Sequence, residues 1–308
     1  MALFLSALVA VSFRHDMREA RARLQAQPTK VFKSRYGNIE YRVSGTGPAV
    51  LISHGITGGV DQAAALVTQW RILPSEQYTF IYVSRFGYLG SELPDQATAR
   101  TQADAYRELL DHLGIERVFL VGNSAGGPSA MWFAIDHPRR TRGLILHSSA
   151  VPGPEAEYIP KIVAQHDFIY WLAVKLAPEK LLGLLLPGPI IAGMTKAQKR
   201  FAVQNAFVAS MPISERTKGI LFDNSVSLPG INVVPFEQIK PPTLIIQSTD
   251  DLREAVGGQE MHGRIPNSTL IRLTGGHLLL GQEAEIQKVN AEFIKSPIAR
   301  QVWNVSSI

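Results

Sequence analysis

Residues 119–129 read FLVGNSAGGPS. An apolar run ends at Gly122, and Ser124 then stands between Gly122 and Gly126. In an alternating sheet-and-helix protein, ligands bind where strands end and helices begin. A chain that turns from strand to helix within so few residues forces the central serine into a strained backbone conformation. Side chains at the flanking positions would strike the neighbouring strand and helix. The glycines make room for the turn, and the turn projects the Ser124 hydroxyl into the cleft. The following helix start adds N–H groups aimed at developing negative charge.

Gly-x-Ser-x-Gly also arises by chance in a chain with 25 glycines, so the surrounding pattern has to support it. It does. From residue 31 onward short β-branched runs alternate with helical stretches. Strands are predicted at 31–33, 39–43, 49–53, 79–83, 117–121, 143–147, 243–247 and 269–273. Several are continuously apolar, among them VLIS, TFIYV, GLIL and TLII, as in strands covered on both faces. Helices are predicted at 99–113, after Ser124, and at 284–294. The alternation implies a mostly parallel sheet with helices on both faces.

Residues 152–235 interrupt the pattern with helical character and no convincing strand. Their apolar middle, FIYWLAVKLAPEKLLGLLLPGPIIAGM, contains Lys175, Glu179, Lys180, Pro178, Pro187 and Pro189, which argue against a membrane span. The expected organisation is an arm at 1–26, a core formed by 27–151 and 236–308, and a helical cap at 152–235.

The 308 residues are 45% hydrophobic and 19% charged, an ordinary globular balance. No cysteine is present, which excludes disulfides, thiolate nucleophiles and cysteine metal sites. The net charge of +5 is local: residues 1–42 hold eight Lys/Arg against three Asp/Glu, and the rest of the chain carries 23 of each. The body therefore has no excess of positive charge suited to nucleic acid.

The arm starts with the uncharged run MALFLSALVAVSF followed by RHDMREARARL. As a helix the uncharged run reaches about 20 Å, short of a hydrocarbon core of about 30 Å. It lacks the basic start of a signal peptide. Two readings follow for residues 1–23: contact with a membrane, or a helix packed on the protein's own surface. The expected location is cytoplasmic or membrane-associated through this segment.

A serine hydroxyl needs a base, and the base needs an orienting acid. Of the eight histidines, His277 follows the last predicted strand in LTGGHLLLG, where Gly275 and Gly276 let a loop cross the strand ends. Of the others, His15 lies in the arm and His166 in the cap, His112, His137 and His262 fall within or at the ends of predicted helices, and His147 ends a strand whose next acid, Glu155, is eight residues on. After the strand at 243–247 comes STDDL, with Asp250 and Asp251 on the same rim. One of the two is expected to cap the helix starting near Arg253. Asp251 is the preferred acid. For the oxyanion, LISHGITGG follows the third strand, and the backbone N–H groups of Ile56 and Ala125 are the expected donors. His54 is expected to brace this loop rather than react. No His/Asp/Glu cluster shows metal-ligand spacing, and the chemistry requires no metal or organic cofactor.

These motifs resemble the α/β-hydrolase superfamily over about residues 36–295: His54-Gly55, GNSAGG at 122–127, TDD at 249–251 and GGH at 275–277, in the family's order. The resemblance implies an eight-stranded, mostly parallel sheet flanked by helices, a helical cap after the sixth strand, and hydrolysis through an acyl-enzyme. By motif it gives the nucleophile as Ser124, the acid as Asp251, the base as His277, and the oxyanion donors as Ile56 and Ala125. Serine at the elbow differs from the aspartate of haloalkane dehalogenases and epoxide hydrolases. SRFGYLGS departs from the usual Asp-x-Arg-Gly after the fourth strand, with Ser84 in place of the acid. HGITGGVDQ also differs from the fuller oxyanion loop of the hormone-sensitive-lipase branch.

Phe168, Trp171, Leu172, Leu184–Leu186 and Ile190 give the cap apolar surface. They suit uncharged esters with short to medium acyl chains if they line a pocket, and cap–core packing if they do not. Lactone, carbon–carbon bond and perhydrolase chemistry are alternatives on the same triad. A non-catalytic, membrane-tethered binding protein of the same fold is the alternative of a different class.

Overall fold

The structure is a computed structural model that describes residues 2–154 and 158–296. The C-terminal RQVWNVSSI and Glu155 therefore lie outside the described residues. Eight strands form one sheet: β1 (Lys30–Ser34), β2 (Gly37–Ser44), β3 (Ala49–Ser53), β4 (Thr79–Val83), β5 (Val118–Asn123), β6 (Thr141–His147), β7 (Thr243–Ser248) and β8 (Ser268–Leu273). Their spatial order is β1-β2-β4-β3-β5-β6-β7-β8. β2 pairs antiparallel with β1 and β4, and every pairing from β4 to β8 is parallel.

The apolar runs explain the layering. In β5, Val118 and Leu120 join the core on one face, while Phe119 and Val121 join the core on the other. The first core is closed by α3 (Ala99–His112) and α4 (Gly127–Asp136), through residues such as Tyr106, Leu109 and Phe133. The second is closed by α2 (Val60–Thr68) and α12 (Glu283–Lys295), through Val60, Val67, Ile286 and Ile294. Strands covered on both sides have no polar face, so continuous apolar runs are the required sequence. α3 begins at a reciprocal Thr98–Thr101 capping box and ends before Gly114 at φ +65°.

Between β6 and β7 the described chain contains helices and no strand: α5 (Lys161–Gln165), α6 (Asp167–Leu176), α7 (Pro178–Leu182), α8 (Gly188–Gly193), α9 (Lys196–Ala206) and α10 (Thr217–Phe222). They share a third apolar cluster that includes Trp171, Val174, Leu182, Ile213 and Ile220. α11 (Leu252–Arg264) follows β7.

The N-terminal arm is helix α1 (Ala2–Gln25). Its second half lies on this helical segment, burying Met17 and Ala20 in the third cluster. The Asp16 carboxylate accepts from Trp171 Nε1 at 2.7 Å and pairs with Lys175 at 2.8 Å. Arg23 Nη2 donates to the carbonyls of Val208, Ala209 and Met211 at 3.0–3.3 Å. Among the described residues no helix is long and apolar enough to cross a membrane.

Candidate active site

Ser124 sits where β5 passes through a 3-10 turn (Ser124–Gly126) into α4. Its φ is +48°, a region that residues with a side chain rarely occupy. A Cβ on Gly126 would overlap the Ser53 carbonyl oxygen of β3. One on Gly122 would lie 2.8 Å from Gly127 Cα and 2.9 Å from Ala130 Cβ of α4. Real Cβ atoms do not approach so closely, so both flanking positions are closed to any side chain.

His277 comes from the loop after β8, and its Nε2 lies 3.0 Å from Ser124 Oγ. Its Nδ1 is hydrogen-bonded to Glu254 Oε1. The acid beside the imidazole is therefore Glu254, not Asp251. Asp251 occupies the N-cap of α11, where its Oδ1 accepts from the Glu254 N–H at 3.1 Å. Asp250 holds the histidine loop instead, its Oδ2 accepting from the Gly275 N–H at 2.6 Å and the Gly276 N–H at 3.4 Å.

The exchange has a simple geometric cause. Bonds from Cα to Cβ in a helix lean toward its N-terminus, so a first-turn carboxylate three residues past the cap reaches back to the strand end. The Asp-x-x-Glu spacing of Asp251 and Glu254 was the available signal. Glu254 is buried, and its Oε2 also accepts from the Ser248 N–H at 3.3 Å.

The electrostatics of His277 oppose one another. Burial disfavours the imidazolium. The Glu254 carboxylate, by charge and hydrogen bond, and the nearby Asp251 charge outweigh that and raise the pKa above its ordinary value, while Arg253 works against them.

Ile56 and Ala125 lie on two loops that meet at Ser124. Ala125 is inside the first turn after β5, where amides have no intrahelical acceptor. The β3 loop approaches closely: a Cβ on Gly55 would sit 3.2 Å from Ser124 Cβ. The Gly58 N–H donates to the Gly55 carbonyl at 3.3 Å, closing a tight turn with Thr57 at φ +62°. Gln62 braces it, with Oε1 accepting from the Gly55 N–H at 2.8 Å and Nε2 donating to the Ile56 carbonyl at 3.4 Å.

His54 is buried below this turn. Its Nδ1 lies 2.7 Å from the Gly55 carbonyl, and its Nε2 accepts from the Arg85 N–H at 3.0 Å. Burial and then the Arg85 charge push its pKa well down, so it stays a neutral brace. Arg85, from the SRFGYLGS stretch, forms a bidentate pair with Asp223 at 2.6 Å, both ends buried, and Tyr88 donates to the same carboxylate at 2.5 Å. Sequence reasoning found neither Asp223 nor Glu254. His147 stands next to Asn123, with its Nδ1 3.1 Å from Asn123 Oδ1.

The apolar residues of the helical segment divide. Phe168 and Trp171 pack on Phe13 of α1, with ring centroids 5.3 and 5.5 Å away. Leu184 is exposed. Leu185 and Leu186 lie on the histidine loop: the His277 N–H donates to the Leu185 carbonyl at 2.8 Å, and a Cβ on Gly276 would be 2.9 Å from Leu186 Cδ2.

The expectation of no metal-ligand cluster needs one amendment. His15, Asp16 and Glu19 bring ligand atoms within 4.8 Å of one another on α1. Asp16 is spent on Trp171 and Lys175, and His15 pairs with Glu19 at 3.2 Å.

This fold recurs in known proteins. A family described as alpha/beta hydrolase fold matches residues 48–173. An alpha/beta hydrolase fold protein from Nakamurella multipartita superposes with a TM-score of 0.66, covering 88% of this chain and 99% of that one at 24% identity. The chain has the alpha/beta hydrolase fold. Among curated proteins, this chain is 34% identical over 113 residues to the uncharacterized hydrolase YcgS of Bacillus subtilis (strain 168), 37% of this chain and 38% of that protein. It is 25% identical over 246 residues to a 2-hydroxy-6-oxononadienedioate/2-hydroxy-6-oxononatrienedioate hydrolase of Paraburkholderia xenovorans (strain LB400), 74% of this chain and 80% of that one. The matched stretch thus spans well under half the length of the first of these relatives.

Proposed function

We propose that this protein is a serine hydrolase that cleaves carboxylic esters of uncharged, small-to-medium substrates through an acyl-enzyme. The observation that carries the reading is the continuous relay from Ser124 Oγ to His277 Nε2 at 3.0 Å, and from His277 Nδ1 to Glu254. His277 removes the hydroxyl proton as Ser124 Oγ bonds to the acyl carbon. The Ile56 and Ala125 amides receive the resulting oxyanion. Glu254 holds the imidazole with Nε2 facing the serine and stabilises the imidazolium while it exists.

When the oxyanion collapses, the bond to the leaving alkoxide breaks, and His277 returns its proton to that oxygen. Water then repeats the sequence on the acyl-enzyme: His277 takes its proton, hydroxide adds to the carbonyl, and Ser124 leaves protonated. All these groups are side chains or amides of this chain. The helical segment acts as the cap in this reading, with Leu185 and Leu186 beside the histidine loop supplying apolar surface near the site.

The test combines a fluorophosphonate probe with a panel of p-nitrophenyl esters, lactones and 2-hydroxy-6-oxo dienoates. Labelling at Ser124, turnover of the esters and loss of both in Ser124→Ala are expected. A wild-type protein that stays unlabelled supports a binding module instead. Preferential turnover of lactone or dienoate keeps the triad and changes the substrate class.

A further inference from the structure

We propose that Arg216, with Ser210, is a positioning residue for the oxyanion turn, so that the helical segment between β6 and β7 sets the place of the Ile56 amide. This rests on the Ser124 mechanism above. The turn 55–58 is secured from the core side by His54, Arg85 and Gln62, which act on Gly55 and Ile56. Its far half, Thr57 and Gly58, is held from the helical segment. Thr57 is β-branched yet sits at φ +62°, a conformation that persists only when its surroundings impose it. Ser210 Oγ donates to Thr57 Oγ1 at 3.0 Å, and Arg216 Nη1 donates to the Gly58 carbonyl.

Arg216 is 1% exposed, and all five of its N–H donors are used. Nε donates to the Ser210 carbonyl at 2.9 Å. Nη1 serves Gly58 and Asp61 Oδ1, the latter at 3.1 Å. Nη2 serves Asp61 Oδ2 at 2.6 Å and the Ala209 carbonyl at 3.4 Å. No donor remains for a substrate, so Arg216 acts through the loop.

The clamp joins three elements rigidly. Asp61 lies in the first turn of α2, Gly58 in the oxyanion turn, and Ser210 in the helical segment. Gly58 is only two residues from the Ile56 donor, and Gly55 already stands close against Ser124 Cβ. A displacement at Gly58 therefore has little slack to absorb it before it reaches the amide. Misplacement by about 1 Å can cost on the order of 10²-fold in rate.

The experiment measures ester kinetics and binding of an aryl boronic acid, a tetrahedral-adduct analogue, for wild type, Arg216→Lys, Ser210→Ala and Asp61→Asn. Lysine offers a point charge with three donors and cannot reproduce the fork. Arg216→Lys is expected to lower kcat by about 10- to 100-fold with KM within about threefold. Boronate affinity should fall in parallel with kcat/KM, and the pH of the acid limb should stay fixed because His277 and Glu254 are untouched. Ser210→Ala and Asp61→Asn should move in the same direction by smaller factors.

Folded variants, verified by circular dichroism, that retain wild-type kcat and boronate affinity overturn the proposal. So does a loss confined to KM, or a shifted acid limb. If Arg216→Lys does not fold, Ser210→Ala and Asp61→Asn decide by the same criteria. Ser124→Ala separates the two levels: turnover that survives it defeats the hydrolytic mechanism itself, whereas turnover lost there but intact in the clamp variants defeats only the clamp.

Discussion

His277 is touched by two acids that differ only in how they reach it. Glu254 is hydrogen-bonded to Nδ1, whereas Asp251 acts through space while its oxygen caps α11. Their substitutions should therefore separate. Glu254→Gln removes the charge that stabilises the imidazolium and is expected to lower kcat by about 10²–10⁴-fold, the scale seen when a triad carboxylate becomes an amide. Asp251→Ala should leave kcat within about fivefold and cost about 1 kcal/mol of stability through the lost cap. The pH profile gives a second reading. In the proposed mechanism His277 must be neutral to accept the serine proton, and its pKa is raised, so the acid limb of kcat/KM should lie above the ordinary histidine value. In Glu254→Gln the limb should move to lower pH while the plateau falls. A greater loss in Asp251→Ala than in Glu254→Gln would reverse the assignment.

At the scale of elements, α1 is attached by a small number of strong contacts. Asp16 takes two charge-assisted or buried donors at once, and the Lys175 and Trp171 bonds outweigh the burial that opposes its charge, so its pKa is lowered. Asp16→Ala would leave the Trp171 N–H buried without its acceptor. The expected cost is about 1–3 kcal/mol. Urea unfolding should show a lower midpoint, and limited proteolysis should cut within residues 2–25 sooner than in wild type. An unchanged midpoint and cleavage rate would mean that the other contacts of α1, from Phe13, Met17, Ala20 and Arg23, suffice to fix the helix.

Over the whole molecule, buried neutral histidines make stability depend on pH. His147 is buried, and desolvation, followed by the neighbouring His277 charge, lowers its pKa to about 4. His54 is pushed down in the same direction. The unfolded chain binds protons on both groups below about pH 6.5, and the folded chain resists, so their contribution is complete above that pH and is lost on acidification, for His147 as pH falls through about 4. For His147 alone this amounts to about 3 kcal/mol. His277 runs the other way: its raised pKa favours the folded state in acid, and that contribution disappears as pH rises through the folded value. Two depressed groups against one raised group predict a net loss on acidification. Urea midpoints measured from pH 7.5 to 4.5 should fall, and His147→Asn should flatten the slope. A wild-type midpoint that does not change over this range would contradict the prediction.

The eight strands, their alternation with helices, and the serine elbow were all readable in the amino-acid order, because each depends on neighbours within one run. VLIS and TFIYV can only be strands covered on both faces, and Gly122 and Gly126 leave Ser124 one backbone path. His277 was legible for the same reason, as the histidine that follows a strand end beside two glycines. Partners brought together from distant parts of the chain were not. Choosing Glu254 over Asp251 required knowing which carboxylate the first turn of α11 turns back toward the imidazole. Pairing Arg85 with Asp223, or Arg216 with Gly58 and Asp61, joins residues more than 130 positions apart. Local sequence limits how a residue can bend and which way it is covered; only the packed chain determines which charge ends within hydrogen-bonding reach of another.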